Sequence, residues 1–291
     1  MSYITDCSKV PGSVFEALQQ IKHLILDLDG TVYTGNTIFP YTIDFLKTLR
    51  RLDISYSFFT NNSSKGSFDH LSKLRAMGIH VSPEGLFTSS DATIHFILTH
   101  YPHWKRLFIL GTPSLVAQFE KRGFIILDET SEEDPDALIV SFDTTLTYAK
   151  LCRAAWWAKQ GKPYLSTNPD LVCPSDQDVV LVDCGAICQS IEAATGRRPD
   201  RILGKPHPEI LRELINSKKM QVNQVAIVGD RIYTDMLAAH NVGSFSILVL
   251  SGETDLVDLS GSSIKIDVIV PSVKELGQLM TYVHEHEIHC K

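Results

Sequence analysis

Short apolar runs rich in β-branched and aromatic residues alternate along this chain with segments of helical periodicity. This alternation is typical of β-α-β units, in which helices cover a parallel sheet. The apolar residues between Ile43 and Leu52, for example, recur at the spacing of a helix that packs on a core. The predicted fold class is therefore α/β with a doubly wound parallel-sheet core. Core strands are predicted at 23–28, 54–60, 86–88, 201–203, 225–228, 245–250 and 268–270.

A second domain is predicted from spacing. The chain between Thr60 and Lys205 is far too long for one connection within a compact domain. It contains its own strand patterns at 106–110, 123–127, 137–141 and 163–166, and helical patterns at 113–122 and 147–160. We therefore expect an α/β cap inserted at 103–200 into a core formed by 1–102 and 201–291.

Four predicted core strands are followed or ended by residues with charged or reactive side chains. These residues are Asp27 and Asp29, Thr60, Lys205, and Asp230. The Asp-Gly pair at 29–30 is, by itself, as typical of a strand-ending turn as of a reactive site. A doubly wound parallel sheet, however, aligns the carboxyl ends of its strands along one edge, where ligands bind. The combination predicts a site for a divalent cation and a phosphoryl group.

The ordered motifs DLDGT, FFTNN, GKP and GDRIYTD resemble those of the haloacid dehalogenase-like hydrolase superfamily, and more narrowly its NagD-like phosphatases of subfamily IIA with a C2-type cap. The resemblance covers nearly the whole chain, including the stretches 167–170, 191–196 and 246–252. It implies a Rossmann-like catalytic core and an inserted cap that sets substrate specificity. The chain departs from the family pattern at 182–185, where it reads VDCG and many relatives read Pro-Gly-x-Gly.

The resemblance implies a role for each reactive residue. Asp27 is expected to attack phosphorus and form an aspartyl phosphate. Asp29 is expected to protonate the leaving oxygen and then to deprotonate the water that hydrolyses the intermediate. The Thr60 hydroxyl and the Asn61 backbone N–H would bind phosphoryl oxygens, and Lys205 would counter their charge.

Mg²⁺ is the expected cofactor, because this hard cation binds a few carboxylates and keeps several waters. Its ligands would be the carboxylates of Asp27 and Asp230 and the backbone carbonyl of Asp29. Asp235 is expected to orient a metal-bound water.

The implied function is hydrolysis of small phosphomonoesters of the sugar phosphate, nucleoside monophosphate or p-nitrophenyl phosphate type. The cap loop with Asn168 and Asp170 is predicted to bind the leaving group. A phosphomutase would use the same nucleophile and metal, so the motifs leave that alternative open. A non-enzymatic binding protein is a third hypothesis. Such a protein would not need Asp29 and Lys205, and the presence of both residues argues against it.

Composition limits the other classes of function. The 291 residues are 44% hydrophobic, which is enough for sizeable cores. A net charge of −7 argues against a nucleic-acid-binding surface. The apolar runs are shorter than a membrane span and the first 20 residues lack a signal-peptide pattern, so we expect a cytoplasmic protein without membrane contact. The resemblance also implies a homodimer formed through the cap.

Cysteine and histidine patterns give weaker indications. The six cysteines include no CxxC pair, which predicts reduced thiols. The tail 284–290 alternates histidine with glutamate. A solvated helix is the favoured interpretation of that tail, and a metal site is the alternative.

Overall fold

The computed structural model describes residues 2–286. The strands are β1 (Ser2–Tyr3), β2 (His23–Leu26), β3 (Tyr33–Thr34), β4 (Thr37–Ile38), β5 (Ser55–Thr60), β6 (Leu86–Thr88), β7 (Arg106–Leu110), β8 (Ile125–Leu127), β9 (Ala137–Val140), β10 (Tyr164–Ser166), β11 (Val172–Cys173), β12 (Leu181–Val182), β13 (Arg201–Ile202), β14 (Val225–Gly229), β15 (Phe245–Val249) and β16 (Val268–Val270). The α-helices are α1 (Gly12–Gln20), α2 (Thr42–Arg51), α3 (Ser67–Ala76), α4 (Ser89–His100), α5 (Pro113–Glu120), α6 (Tyr148–Lys159), α7 (Cys184–Thr195), α8 (Glu209–Ser217), α9 (Leu237–Val242) and α10 (Val273–Glu285).

The chain separates into two compact units. The first is formed by residues 1–59 and 206–291, and the second by residues 60–205. The predicted cap, 103–200, lies within the second unit, which also includes 60–102 and 201–205.

The first unit contributes six parallel strands to one sheet, in the order β1, β16, β15, β14, β2, β5. The central strands β2 and β14 are buried along their whole length, as expected for apolar strands that are covered on both faces. Helix α10 packs against α1 and α2. The chain runs outward from β2 to β5 on one side and from β14 to β16 on the other. The strand order therefore reverses between β2 and β14, and such a reversal is where α/β sheets bind ligands.

The second unit has its own parallel sheet, in the order β13, β10, β9, β7, β8. Alternate residues of its strands enter two separate cores, because successive side chains of a strand point to opposite faces. In β7, Phe108 and Leu110 pack in the core that holds Trp157, whereas Leu107 and Ile109 pack in the core that holds Phe119. This unit is therefore also a sheet with apolar cores on both faces.

The predicted α/β fold is confirmed, and the observed ends of most strands lie within two residues of the predicted ends. One assignment was wrong. The run Arg201–Leu203 was expected in the core sheet, but β13 pairs with β10 at Leu165 and Ser166 in the sheet of the second unit. A two-residue strand has too little sequence pattern to specify its partner.

Two further observations concern the composition-based predictions. No helix among residues 2–286 has both the length and the apolar character needed to span a membrane. The cysteines at positions 7, 152, 173, 184 and 188 are free thiols, as predicted. Most of the histidine-rich tail, 287–291, lies outside the described residues.

Candidate active site

Three carboxylates meet in the first unit where the strand order reverses. Asp27 follows β2, Asp230 follows β14, and Asp235 lies in the π-helical turn Ile232–Met236 just beyond. One carboxylate oxygen from each of the three lies within 4.8 Å of the others. The sheet edge predicted from the sequence therefore does bring these three side chains together.

Asp230 is the most constrained member of this cluster. Its side chain has no measurable exposure, and Oδ2 accepts the backbone N–H of Glu253 at 2.7 Å. Its other oxygen, Oδ1, is buried and has no hydrogen-bond partner among residues 2–286. Burial and the neighbouring carboxylates of Asp27 and Asp235 raise the pKa of Asp230 well above its ordinary value.

A buried, unpartnered carboxylate oxygen is costly unless a positive charge compensates it. The loop after β15 brings Gly252 so close that a Cβ there would lie 2.0 Å from Asp230 Oδ2. The backbone thus encloses the Oδ2 side of the carboxylate. Three acidic oxygens gathered in this way fit a hard divalent cation.

Asp235 is held against the end of β14 by its own main chain. Its carboxylate accepts the backbone N–H of Arg231 at 3.2 Å. A Cβ on Gly229 would lie 2.2 Å from the carboxylate carbon, so only glycine permits this approach. Arg231 turns away to form an ion pair with Glu253 at 2.7 Å.

Asp29 lies beside the cluster, on the turn that begins at Leu28. The Tyr33 hydroxyl donates to Asp29 Oδ2 at 3.2 Å, and the backbone of Gly30 donates to the Tyr33 carbonyl at 2.7 Å. Gly30 has a φ of +85°, a left-handed conformation that favours glycine and permits the sharp turn here. The Thr31 hydroxyl makes a long 3.4 Å contact with Asp27 Oδ2.

The remaining predicted groups lie in the second unit. Thr60 is buried, and its Oγ1 accepts the backbone N–H of Asn62 at 3.0 Å, which leaves the hydroxyl hydrogen for another acceptor. Asn61 and Lys205, far apart in sequence, are joined directly. Asn61 Oδ1 accepts the backbone N–H of Lys205 at 2.8 Å, and Asn61 Nδ2 donates to the Lys205 carbonyl at 3.0 Å.

Asn168 and Asp170, predicted to bind the leaving group, belong to this same network. Their exposed fractions are 0% and 2%. Asn168 Nδ2 donates to the Asn61 carbonyl at 2.8 Å, and Asp170 Oδ2 accepts from Asn61 Nδ2 at 3.0 Å. Both side chains thus bond to the segment after β5, and Asn168 Oδ1 also accepts the Asp170 N–H at 3.0 Å.

Known proteins resemble this chain over most of its length. Residues 24–125 match the family described as haloacid dehalogenase-like hydrolase, and residues 202–276 match a related hydrolase-like family. The ribonucleotide monophosphatase NagD of Escherichia coli K12 is 30% identical over 256 residues, which span 88% of this chain and 98% of that protein. The chain belongs to the haloacid dehalogenase-like hydrolases. This confirms the family inferred from the motifs.

Two solved structures resemble this hydrolase closely. A 4-nitrophenylphosphatase from Thermotoga maritima is 40% identical, with a TM-score of 0.82 over 90% of this chain and 98% of that one. A glycerol phosphate phosphatase from Mycobacterium tuberculosis, in complex with magnesium, is 26% identical, with a TM-score of 0.80 over 90% of this chain and 78% of that one. The names of these relatives agree with the prediction of a phosphatase.

Sequence reasoning missed two groups that hold the carboxylates of this hydrolase in place. Glu253 fixes Asp230 through its backbone N–H, and Tyr33 contacts Asp29 through its hydroxyl. Glu253 directly follows the stretch 246–252, which already carried the family resemblance. Nothing in the sequence around Tyr33 marked it as a partner of Asp29.

Proposed function

We propose that this hydrolase is a Mg²⁺-dependent phosphatase that cleaves small phosphomonoesters through an aspartyl phosphate on Asp27. The main observation is that carboxylate oxygens of Asp27, Asp230 and Asp235 lie within 4.8 Å of one another. One buried oxygen of Asp230 also has no hydrogen-bond partner in the part of the chain that the structure describes. A cation lowers the cost of burying such an oxygen in its charged form, and Mg²⁺ suits carboxylate ligands. The magnesium-bound structure of the mycobacterial relative supports the choice of metal.

The metal would be held by the Asp27 and Asp230 carboxylates and the Asp29 carbonyl, with Asp235 orienting a bound water. When bound, Mg²⁺ offsets negative charge on the phosphoryl oxygens and on the attacking carboxylate. This charge compensation is essential, because phosphate monoesters are among the slowest compounds to hydrolyse in water.

In the first step an Asp27 oxygen forms a bond to phosphorus, and the bond from phosphorus to the leaving oxygen breaks. The leaving oxygen takes its proton from the Asp29 carboxyl. In the second step Asp29, now ionised, takes a proton from a water whose oxygen attacks phosphorus. The bond between Asp27 and phosphorus then breaks, inorganic phosphate leaves, and the proton remains on Asp29.

Thr60, the Asn61 backbone N–H and Lys205 are proposed to bind the phosphoryl oxygens during both steps. Their role is supported by motif order and by the hydrogen bonds that tie Asn61 to Lys205 within the second unit. Donors that are fixed in place before reaction stabilise the developing charge without reorganisation.

The substrate class stays broad, because the three relatives are named for ribonucleotides, 4-nitrophenyl phosphate and glycerol phosphate. A small phosphorylated metabolite is therefore the proposed partner. The cytoplasmic location and the homodimer formed through the cap stay predictions.

The test is phosphate release from a panel of nucleoside monophosphates, sugar phosphates, glycerol phosphate and p-nitrophenyl phosphate, in Mg²⁺ and in EDTA. We expect turnover in Mg²⁺ only. The change Asp27→Asn should abolish it, whereas Asp44→Asn, the same change at an exposed position of the same unit, should leave it intact. No release from any ester in Mg²⁺, or full activity of Asp27→Asn, would contradict the proposal.

A further inference from the structure

The side-chain amide of Asn61 forms hydrogen bonds to distant segments of the second unit. Its oxygen accepts from the Lys205 N–H at 2.8 Å, and its nitrogen donates to the Lys205 carbonyl at 3.0 Å. The amide thus pairs with both main-chain groups of one residue, 144 positions away. A Cβ on Gly204 would lie 2.5 Å from Asn61 Oδ1, so the backbone before Lys205 packs directly on this amide.

The cap loop holds Asn61 from the other side at two points. Asn168 Nδ2 donates to the Asn61 carbonyl at 2.8 Å, and Asp170 Oδ2 accepts the second hydrogen of Asn61 Nδ2 at 3.0 Å. The two loop residues are also tied to each other, because Asn168 Oδ1 accepts the Asp170 N–H at 3.0 Å. Ser89 Oγ adds a further bond to the Asn61 carbonyl at 2.8 Å.

The carboxylate of Asp170 favours one orientation of the Asn61 amide. An ionised carboxylate only accepts hydrogen bonds, so the edge of the Asn61 amide that faces Asp170 must be the NH₂ group. The carbonyl oxygen of that amide must then face the Lys205 N–H. An asparagine at position 170 offers either edge, so the contribution of residue 170 to this orientation is lost and the two bonds to the Lys205 backbone must maintain it. Rotating the Asn61 amide by half a turn would break both bonds to the Lys205 backbone.

We propose that Asp170 and Asn168 are positioning residues that act through Asn61. They fix the Asn61 amide, the amide fixes the main chain at Lys205, and the phosphate-binding groups of Thr60, Asn61 and Lys205 are thereby held in one arrangement. This inference rests on the proposed phosphatase function and gives the cap loop a different task from contact with the leaving group. It predicts that the loop affects all phosphomonoesters equally.

The first experiment compares kcat/KM of the full-length protein in Mg²⁺ on p-nitrophenyl phosphate and on the best metabolite of the panel. Asp170→Asn should lower both values by the same factor, about tenfold or more, because small displacements of catalytic groups cost up to about a hundredfold. Asp136→Asn is the matched control. Asp136 accepts the backbone N–H groups of Lys105 and Arg106. It precedes the first residue of β9, whereas the loop with Asp170 follows the last residue of the parallel strand β10. Its variant should therefore lose stability without losing kcat.

A double-mutant cycle separates this role from a general loss of packing. Once Asn61→Ala has removed the amide, adding Asp170→Asn should change kcat/KM by less than about twofold. The reason is that Asp170 affects the phosphate-binding groups only through the Asn61 amide. Additive losses would overturn the proposal. So would a loss confined to the metabolite, which would mark Asp170 as a leaving-group contact, or wild-type activity in Asp170→Asn.

The second experiment does not require activity. Amide hydrogen exchange at Lys205, measured by NMR, should be slow in the wild type and markedly faster in Asp170→Asn, because the bond from the Lys205 N–H to Asn61 is weakened. Unchanged exchange would overturn the inference. An inactive wild type would instead refute the proposed function. In that case the exchange rates would still show whether Asp170 holds the Lys205 main chain in place.

Discussion

Asp230→Asn should make the metal-free protein more stable, although it removes a residue of the proposed active site. The acidic oxygens of Asp27, Asp230 and Asp235 lie within 4.8 Å of one another. Two unit charges at that distance repel by about 3 kcal/mol at an effective dielectric constant of about 20. Asp230 repels both Asp27 and Asp235, and the nearby Arg231 and the hydrogen bond from the Glu253 N–H offset a large part of these two repulsions. We therefore expect a net gain of about 2–3 kcal/mol in the free energy of unfolding at neutral pH.

The sign follows from the raised pKa of Asp230. The pKa of Asp230 is higher in the folded protein than the value of 3.8 expected for the unfolded chain. Between these two pKa values the folded carboxyl keeps a proton that the unfolded one has lost. The cost in stability therefore grows as pH rises from 3.8 toward the folded pKa and is fully present above it. An asparagine has no such cost. The gain from Asp230→Asn should therefore be present at pH 7 and should vanish as pH falls toward 4.

Thermal unfolding in EDTA is the assay. For a domain of this size, about 2–3 kcal/mol corresponds to a rise in Tm of roughly 5–10 °C. Mg²⁺ at about 100 times its Kd should stabilise the wild type by about 2.7 kcal/mol and leave Asp230→Asn unchanged, so the two Tm values should converge. Asp44→Asn is the control, because Asp44 is 80% exposed and its pair with Lys47 contributes at most about 1 kcal/mol. A lower Tm for Asp230→Asn than for the wild type in EDTA would refute the account of the cluster.

Three further outcomes are expected. Burial lowers the pKa of His70 from 6.5 to about 4. Between these two pH values only the unfolded chain takes up the proton, so the free energy of unfolding should fall as pH drops through this range. Urea denaturation should show a shallower fall in His70→Gln, and equal slopes for the two proteins would contradict this. Gly252→Ala places a Cβ 2.0 Å from Asp230 Oδ2 and should weaken Mg²⁺ binding at least about tenfold by calorimetry, whereas Gly12→Ala, which has open space around it, should not. Tyr33→Phe removes the hydroxyl bonded to the proposed acid–base carboxylate; its pH–rate profile should shift and kcat should fall several-fold, and an unchanged profile would count against that role.

The sequence predicted the fold and the carboxylate cluster well, for a physical reason. Asp27 and Asp230 each follow a fully buried strand by one residue, so local pattern alone sets where they emerge. Parallel pairing of those strands then brings the carboxylates together. Asp235, the second carboxylate of the GDRIYTD motif, lies in the helical turn that follows β14.

The cap loop was harder to interpret from the sequence. The family resemblance led to the prediction that Asn168 and Asp170 face the substrate, and that role stays a prediction. In the structure they bond to Asn61, more than 100 residues earlier in the chain. A single sequence carries no signal for such a pairing, because the distance between the partners is set only once the sheet of the second unit has formed. The partner of β13 was misassigned, because its pairing with β10 is likewise set only by the fold of the second unit.

The proposed chemistry is tested most directly by trapping the covalent intermediate. The protein would be mixed with p-nitrophenyl phosphate and Mg²⁺, quenched in acid within one turnover, and reduced with borohydride, which converts an aspartyl phosphate into homoserine. Peptide mass spectrometry should find that conversion at Asp27, and samples without Mg²⁺ should lack it. Rapid phosphate release without any modification at Asp27, or modification at a different carboxylate, would contradict the account.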